Sequence, residues 1–478
     1  MPFIRIIIVV CCCLLEWSVY AQTDTITTGE ALTMQRCIRL AYSSHTALQI
    51  ADLHIRSGNI REQQAEDKRL PAVYGALANG VSLGRGIDPY TNNYINQQIA
   101  FSTWNVYSEW SLYDGGEQKI MLDQAQINLQ IAQLNRQKIL DQLAIEVLHA
   151  CLTFLQCEDQ MTLAGNQAAV TREEVNRLDL LYKSGAGTPM TLLDMKAQLA
   201  KEELAVVHAN SLLRSARHRL GQLTGLQEWE DIRLAREGFD KIPAPYPLTP
   251  EAVTETALRN FASIRIAELS TDYARKTSAV ALSSRKPHIT LFARLGTNYS
   301  SAATRQLFGD LITKPTGDLI NVNGLSYPVL SQRPEIITQK LSYFNQFFNN
   351  FNANFGVQLS VPIYDAHAAS NKAAIAEIGI QEAALSSEAE RKALRNAVEE
   401  AFLALTAARE RYDAIQVQIN ALEEAFKITE VRFRETIIPG TEYLAAKNNL
   451  LAARTQLVTA RYEYLFCYKV LDFYQGRR

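Results

Sequence analysis

The sequence predicts a mainly α-helical protein that also carries strands, built from a helix-strand-strand-helix-helix unit that occurs twice. The repeat is the first observation: Pro71 and Pro287 precede similar strand-like stretches 216 positions apart, and the Tyr-Asp pairs at 113 and 364 recur at 251 positions. The second observation is a pair of long proline-free stretches with apolar residues at helical spacing. The third is a set of short segments in which apolar and polar residues alternate. Such a duplication predicts a pseudo-symmetric structural unit.

The chain divides into two copies joined by a linker. We predict a first repeat over 22–227, a proline-rich linker over 228–247 and a second repeat over 248–478. Both copies open with Leu-Thr, at 32 and 248, and Leu193 and Lys196 recur as Leu444 and Lys447. Because the offset grows from 216 to 251, the second copy holds 35 extra residues, which fall between its two strands.

The amino terminus predicts secretion. Arg5 is followed by an apolar run over 6–15 and by a small-residue cleavage site ending at Ala21, so residues 1–21 are predicted to be a signal peptide. Lipid anchoring through the cysteines at 11–13 is disfavoured, because no small residue precedes any of them.

Composition and motifs argue against several classes of function. The net charge of −2, with interspersed signs, gives no nucleic-acid footprint. The seven histidines form no His-Glu-x-x-His arrangement, and neither a Gly-x-Ser-x-Gly elbow nor a phosphate-binding loop occurs, so we expect no enzyme, cofactor or metal. Four cysteines beyond the signal peptide are scattered on predicted helices. This favours buried thiols over a metal site, with one disulfide bridge as an alternative.

Each copy contains a long helix, a short break and a second helix. Helical spacing runs from about 117 to 182 in the first copy, and a proline-free stretch spans 366–438 in the second. At 1.5 Å per residue each long helix would measure roughly 100 Å, which points to coiled-coil-like packing. The breaks at 184–189 and 435–440 contain glycine and proline, so each copy is predicted to form a helical hairpin with a tight tip.

Strand pairs are predicted at about 72–84 and 98–113, and at about 288–299 and 353–364. In the last segment apolar residues alternate with polar ones, which gives one apolar face. After a signal peptide this pattern fits strands that cross an outer membrane, although a strand in a water-soluble sandwich has the same period. No stretch of about 20 apolar residues follows the signal peptide to cross a membrane as a helix. Four strands cannot close a barrel, so membrane-spanning strands would require several copies of the chain.

The extra residues of the second copy, between about Tyr299 and Asn352, predict a long surface loop. Aromatic residues among asparagines in this segment make a lid or a contact surface the alternative. These aromatic residues are Tyr343, Phe344, Phe347, Phe348 and Phe351.

The order of elements resembles the TolC-like outer-membrane efflux proteins over nearly the whole mature chain. The resemblance rests on the Leu-Thr openings, the Tyr-Asp strand exits, and the tip segment Tyr182-x-x-Gly185 followed by Leu192-Leu193-Asp194. It implies a homotrimer in which a twelve-stranded β-barrel in the outer-membrane lipid stands on a long periplasmic α-helical barrel. The implied function is a passive exit duct of a tripartite efflux or type I secretion system in a Gram-negative cell.

The same resemblance implies partners: a periplasmic adaptor protein and an inner-membrane pump or ABC transporter. A periplasmic adaptor or scaffold, which also uses long helical hairpins, is the alternative function. An adaptor would not need two alternating strand pairs in each chain.

The resemblance also implies where the channel entrance lies. In the family's motif, acidic residues six and nine positions after the tip glycine ring the entrance, which selects Thr191 and Asp194 after Gly185. Counted from Thr436, which replaces the second glycine, these positions hold Glu442 and an alanine. Three copies would bring these carboxylates into a ring that favours cations and can bind a blocking metal ion. Alternatively, both acids are solvated charges near the start of a helix, where the dipole favours them.

The remaining tip residues receive roles from the resemblance in the same way. Tyr182 and Phe433 are latch candidates beside the entrance, and Lys183 and Arg434 are candidates for tip salt bridges. The alternatives are core aromatics and plain surface charges. The turn formed by Ser184, Gly185 and Ala186 resembles the adaptor-docking turn, whereas residues 435–437 do not.

Overall fold

The computed structural model of the chain describes residues 31–87, 94–96, 98–237, 239 and 241–477. The predicted signal peptide, residues 1–21, lies outside the described residues. The chain separates into two units. The helical unit comprises Met1–Ile50, Gln137–Phe261 and Lys392–Arg478, and the strand-bearing unit comprises Ala51–Arg136 and Ala262–Arg391.

The helices and strands follow the same order in both copies, except that the second copy has an additional short helix between its strands. The first copy contains α1 (Met34–Ser44), α2 (Thr46–Asp67), β1 (Ala72–Ser82), β2 (Arg85–Ile87), β3 (Tyr94–Asn96), β4 (Ile99–Tyr113), α3 (Glu117–Lys183) and α4 (Pro189–Thr224). The second contains α5 (Pro250–Asn260), α6 (Ala262–Ser283), β5 (His288–Ser300), β6 (Thr304–Val322), β7 (Leu325–Lys340), α7 (Tyr343–Asn349), β8 (Asn352–Ser360), α8 (Ala368–Arg434) and α9 (Gly440–Tyr474). The prediction of a mainly helical chain is confirmed.

The opening helix of each copy begins at a threonine cap. Thr33 accepts a hydrogen bond from the backbone N–H of Arg36, and Thr249 accepts one from Ala252. Each opening helix is then interrupted by one extended residue, His45 or Phe261, a break that was not predicted from the sequence. These two residues also lie 216 positions apart, so the repeat includes the interruption.

The Tyr-Asp pairs mark the junction between a strand and a long helix. Asp114 accepts a hydrogen bond from the backbone N–H of Gln118 at 3.0 Å, and Asp365 accepts one from Ala369 at 2.8 Å. Each aspartate thus satisfies a backbone donor in the first turn of α3 or α8, where the helix itself offers no partner. This capping explains why the motif occurs at both strand exits.

Four strands form one antiparallel sheet in the order β1-β4-β5-β8. One face is mainly apolar and largely exposed; its residues include Val73, Leu77, Trp104, Val106, Trp110, Leu291, Leu295, Phe355, Val357 and Leu359. The opposite face carries polar groups, among them Asn105, Glu109 and Arg294, with Glu109 and Arg294 3.5 Å apart. Strands β1 and β8 are the two edges of this sheet.

The end of the fourth strand differs from the prediction. Strand β8 ends at Ser360, whereas the alternating pattern predicted a strand to about 364. Pro362 follows shortly after, and proline has no backbone N–H with which to continue a ladder.

The expectation of a long surface loop in the second copy is wrong. Strands β6 and β7 pair with each other as a hairpin, and α7 follows them. Cross-strand apolar pairs such as Leu307 with Ile337 and Phe308 with Ile336 explain the pairing. The register shifts between Phe308 and Leu311 and again between Pro315 and Leu319. The prolines of the hairpin, Pro315, Pro328 and Pro334, lie at these shifts, where the ladder is already interrupted.

The core of the helical unit is built from the apolar stripes of α1, α3, α4, α8 and α9. The four cysteines of the described chain are free thiols and three are buried, which agrees with the prediction of buried thiols. One stretch of α3 is apolar and long enough to cross a membrane by length and composition alone, so the expectation of no such stretch is wrong. Half of that stretch is buried inside the fold, as in a core helix.

Candidate functional site

The first tip is a tight turn between α3 and α4. Gly185 is left-handed, with φ of +81°. Its N–H donates to the carbonyl of Tyr182 at 3.0 Å, while the N–H of Ala186 donates to Leu181 at 2.9 Å. This pair of hydrogen bonds is the Schellman motif, which satisfies carbonyls that a helix end leaves open. Thr188 then caps α4 through its hydroxyl, which lies 2.8 Å from the hydroxyl of Thr191.

The second tip, between α8 and α9, makes the same turn with a different residue. Thr436 takes the left-handed position, with φ of +61°, and its N–H donates to Phe433 at 3.0 Å. The N–H of Ile437 donates to Arg432 at 2.8 Å, which completes the motif. A β-branched residue in this conformation is strained, and Pro439 at the start of α9 provides no side-chain cap.

The two predicted latch aromatics lie in different surroundings. Phe433 is 6% exposed and stacks on Tyr443, with ring centroids 4.4 Å apart. It belongs to a core cluster that joins both tips, with Val175, Leu178, Leu192, Met195, Ile438 and Tyr443. Tyr182 is 46% exposed and lies outside this cluster. Only one of the two aromatics therefore helps to hold the tips together within the chain.

The basic residues at the tips pair with acids on their own helices. Lys183 lies 2.6 Å from Asp179, and Arg434 lies 2.8 Å from Glu430. Both pairs are four residues apart and largely exposed, so each contributes little to stability. They do not bridge from one tip to the other.

The three entrance candidates lie at the start of the two returning helices. Asp194 is half-buried in α4, and Glu442 is exposed in the first turn of α9. Within the described part of the chain, neither carboxylate has an ion-pair partner. Thr191 takes part in the cap of α4, and its methyl group lies 3.3 Å from where a Cβ on Gly440 would be. Thr191 thus marks the place where the two tips approach each other.

A buried ion network that was not predicted from the sequence joins three helices above the tips. The ammonium of Lys447 on α9 lies 3.2 Å from Glu202 on α4 and donates to the hydroxyl of Thr171 on α3. Lys447 is 4% exposed and Glu202 is 3% exposed. Gln198 donates to Glu202 at 2.7 Å and to Asn448 at 2.9 Å, so its amide extends the network.

A signal for this network does exist in the sequence. Lys447 occupies the buried stripe of α9 between Tyr443 and Leu450, at spacings of four and three. A lysine in an apolar stripe requires a buried partner. The partner could not be named from sequence, because Glu202 and Thr171 lie far away along the chain.

Burial shifts the pKa values of two groups near the second tip. Burial lowers the pKa of Lys447, and the charge of Glu202 offsets part of this effect. Burial, followed by the charges of Glu174 and Glu430, raises the pKa of Tyr443 to about 12. The first tip has no such group at the equivalent of Tyr443, where Leu192 stands.

No group of three or more histidine, cysteine, aspartate or glutamate side chains in the described residues is arranged to hold a metal ion within one chain. The arrangement instead offers two closely packed helix turns with uncompensated carboxylates beside them. Such a site can attract cations. The positions of its carboxylates can change only if the packed helices move.

A family model for outer membrane efflux protein matches residues 38–226 and 253–472, with one block in each copy. Among solved structures, the chain is similar to CusC, at 15% identity and a TM-score of 0.72, over 96% of this chain and 95% of that one. It is also similar to VceC from Vibrio cholerae, at 14% identity and a TM-score of 0.69, over 92% and 94%. It is similar as well to the CmeC outer membrane channel of Campylobacter jejuni, at 14% identity and a TM-score of 0.70, over 93% of this chain and 86% of that one. At these identities the likeness shows the fold. No curated protein sequence matches the chain.

Proposed function

The chain belongs to the outer membrane efflux protein family, and from that premise we propose that three copies of it form one continuous exit duct. An efflux duct of this family lies in the outer membrane and extends into the periplasm, and its activity is transport rather than catalysis. Our proposal adds the trimer, the twelve-stranded barrel, the acidic entrance at the tips and the docking of partners there. The duct is passive, because the energy for transport comes from a pump.

The observation that carries the proposal is the four-stranded sheet with one apolar, exposed face and two free edges. A sheet edge exposed to lipid would leave backbone donors and acceptors without partners. Since the smallest single-chain membrane barrels have about eight strands, four strands cannot close alone. Pairing of β1 from one copy with β8 of the next would close twelve strands from three copies. The polar face with Asn105, Glu109 and Arg294 would then line the channel.

The tips supply the entrance in this proposal. Three copies would place three Asp194 and three Glu442 side chains around one axis, with Thr191 between the approaching tips. Because Lys183 and Arg434 already pair with acids on their own helices, these carboxylates keep their charge uncompensated. A ring of carboxylates favours cations over anions and can bind a blocking metal ion.

The exposed turn at Ser184, Gly185 and Ala186 is the proposed docking point for a periplasmic adaptor protein, which would link the duct to an inner-membrane pump or ABC transporter. The second turn has the same backbone path but different side chains and charge, with Glu435 and the exposed Ile437. We therefore expect the adaptor to bind the first tip more tightly. The alternative of a periplasmic scaffold is not favoured, because family membership indicates an outer-membrane duct.

The test is conductance in planar lipid bilayers. Wild-type protein should give small cation-selective steps, and the double variant Asp194→Ala with Glu442→Ala should lose selectivity and any block by multivalent cations. The matched control is Glu435→Ala, which removes a carboxylate at the tip but outside the returning helices, and it should leave selectivity unchanged. Steps that the double variant does not alter would place the entrance elsewhere. No conductance from folded, trimeric protein would overturn the duct itself.

A further inference from the structure

Helix α7 is fixed to the apolar face of the four-stranded sheet. Tyr343 accepts a hydrogen bond from the indole N–H of Trp104 at 3.0 Å, and Phe347 meets the Trp104 ring edge-on at 6.0 Å. The carbonyl of Phe347 accepts from the hydroxyl of Thr297 at 2.7 Å. Trp104 and Thr297 are direct partners in the β4–β5 ladder, so the helix lies on the same face as Val106 and Leu295.

A buried glutamine secures the helix against the end of β5. Gln346 is fully buried, and its amide group donates to the carbonyls of Ser300 and Leu341 at 2.9 and 3.1 Å. Its oxygen accepts from the N–H of Ser300 at 2.9 Å. Both the nitrogen and the oxygen of this side-chain amide therefore form hydrogen bonds with the backbone. The position of α7 is defined by these contacts and does not depend on a mobile loop.

The outward side of α7 is aromatic. Phe344 and Phe348 are one helical turn apart and are 71% and 73% exposed, and Phe351, which follows just after the helix, is 60% exposed. Large exposed apolar surfaces on a folded protein indicate an interaction site. The inward contacts of Tyr343, Gln346 and Phe347 already hold the helix in place. The exposed phenylalanines are therefore not needed for this packing.

Charge decides what covers this surface. From residue 341 to residue 364 the chain has no charged side chain, and this stretch includes both α7 and β8. The neighbouring β6–β7 hairpin is different, because charged residues occur along both its strands: Arg305, Asp310, Lys314, Asp318, Arg333, Glu335 and Lys340. Charged side chains are costly in lipid, whereas interfacial helices present Phe, Trp and Leu to the acyl chains.

We propose that α7 is an interfacial helix that inserts Phe344, Phe348 and Phe351 into the boundary of the outer leaflet, beside the lipid-facing sheet. The occupant of the surface is membrane lipid, and the β6–β7 hairpin stands in water outside it. This inference rests on the proposed function, in which the apolar face of the sheet meets lipid. Helix α7 covers the end of that face near Thr297 and Ser300, where the chain leaves the sheet for the β6–β7 hairpin.

Site-specific fluorescence tests the proposal in the full-length protein reconstituted in phospholipid vesicles. An environment-sensitive dye is attached to Phe348→Cys, with Phe344→Cys as a second position on the same side. Phe308→Cys in β6 is the matched control, because Phe308 is 72% exposed, nearly the same as Phe348. Val357→Cys on β8 reports the sheet face. Labelling of the unsubstituted protein gives the background from the native cysteines, and conductance shows that each labelled protein is folded.

We expect lipids with a nitroxide near the headgroup to quench the dye at 348 and 344, and lipids with a deep nitroxide to quench the dye at 357. The dye at 308 should respond only to iodide in the water phase. If 357 is quenched from the lipid while 348 and 344 respond only to iodide, α7 lies in water, and the inference fails while the proposed function stands. If 357 also responds only to iodide, the lipid-facing sheet itself is wrong.

Discussion

The two copies of the repeat follow the same backbone path with different local chemistry. At the strand-to-helix junction and at the tip, the first copy has glycine at every left-handed position, and the second copy has none. The first set is Gly115, Gly116 and Gly185, and the equivalent set is Ala366, His367 and Thr436. Each residue with a Cβ costs about 1–2 kcal/mol in this conformation. Tertiary packing, and not turn chemistry, therefore fixes the path of the second copy.

The packing that holds the second tip can be identified. Phe433 and Tyr443 form a buried stack, and Lys447 is the centre of the buried ion network. Their equivalents in the first copy are the exposed Tyr182, the aliphatic Leu192 and the exposed Lys196. Both tips share one buried cluster, to which the second tip adds the aromatic stack and the ion network, whereas the first tip has an unstrained glycine turn. Substitutions at equivalent positions should break the copies' apparent symmetry.

The largest difference is expected for the lysines. Lys447→Met should lower the free energy of unfolding by about 3–5 kcal/mol, because the Glu202 carboxylate is left buried without its cation. Its counterpart Lys196 is half-exposed and 3.7 Å from Asp179, so Lys196→Met should cost less than about 1 kcal/mol. Urea unfolding in detergent, followed by far-UV circular dichroism, measures both. Adding Glu202→Met to Lys447→Met should recover much of the loss, since a matched apolar replacement leaves no unpaired charge. Equal losses for the two lysines would contradict the comparison.

The aromatic pair gives the next effect. Phe433→Ala should destabilise the helical unit by about 3 kcal/mol, because it removes a buried ring and leaves a cavity beside Tyr443. Tyr182→Ala should change stability by no more than about 0.5 kcal/mol, because its ring is largely exposed. The same unfolding assay compares them. A loss at Tyr182 as large as that at Phe433 would mean that the first aromatic also packs in the assembled protein.

Exchange of the tip residues tests the turn chemistry directly. Thr436→Gly should raise stability by about 1 kcal/mol, because glycine adopts the left-handed conformation freely. Gly185→Thr should lower stability by about 1–2 kcal/mol for the opposite reason. A Cβ at Gly185 would meet no atom within 4 Å, so crowding does not contribute to that loss. If Thr436→Gly destabilises the protein, the threonine side chain makes a favourable contact that outweighs its strain.

The parts of this fold that could be predicted from sequence are those with a regular period. The long helices α3 and α8 and the apolar face of β8 each follow from repeated spacing within one segment, and both tips follow from the glycine and proline that interrupt the helical pattern. The family resemblance then located Asp194, Glu442 and Thr191 at the start of the returning helices. What it could not give is their contacts, because those depend on how separate helices pack.

The parts that could not be predicted are those in which distant residues or interrupted patterns decide. The β6–β7 hairpin was missed because Pro315, Pro328 and Pro334 break its alternation, and they are tolerated only where the ladder is irregular. The left-handed turn at Thr436 has no local signal, since threonine disfavours it. Thr171 is 276 residues from Lys447, so the network becomes visible only when three helices are in place.

The smallest difference between the copies concerns pH. Burial raises the pKa of Tyr443 to about 12, so the ionised form is disfavoured in the folded protein. The contribution of the neutral phenol is fully present below pH 10, the ordinary value, and is lost as pH rises toward 12. At pH 11 the loss should be about 1 kcal/mol relative to pH 9. Tyr443→Phe should remove this part of the alkaline destabilisation. The equivalent residue in the first tip is Leu192, which does not ionise, so we expect no matching loss there.

Urea unfolding at pH 9 and pH 11 measures this effect as a difference between wild type and Tyr443→Phe. Other buried tyrosines, such as Tyr462, contribute equally to both proteins, so they cancel in the comparison. The substitution keeps the stack on Phe433, because the two rings differ only by the hydroxyl group. If the variant loses as much stability as wild type between pH 9 and pH 11, Tyr443 ionises in water at an opened tip. The second tip would then open more readily than its packing indicates, and the strain at Thr436 would be the reason to examine first.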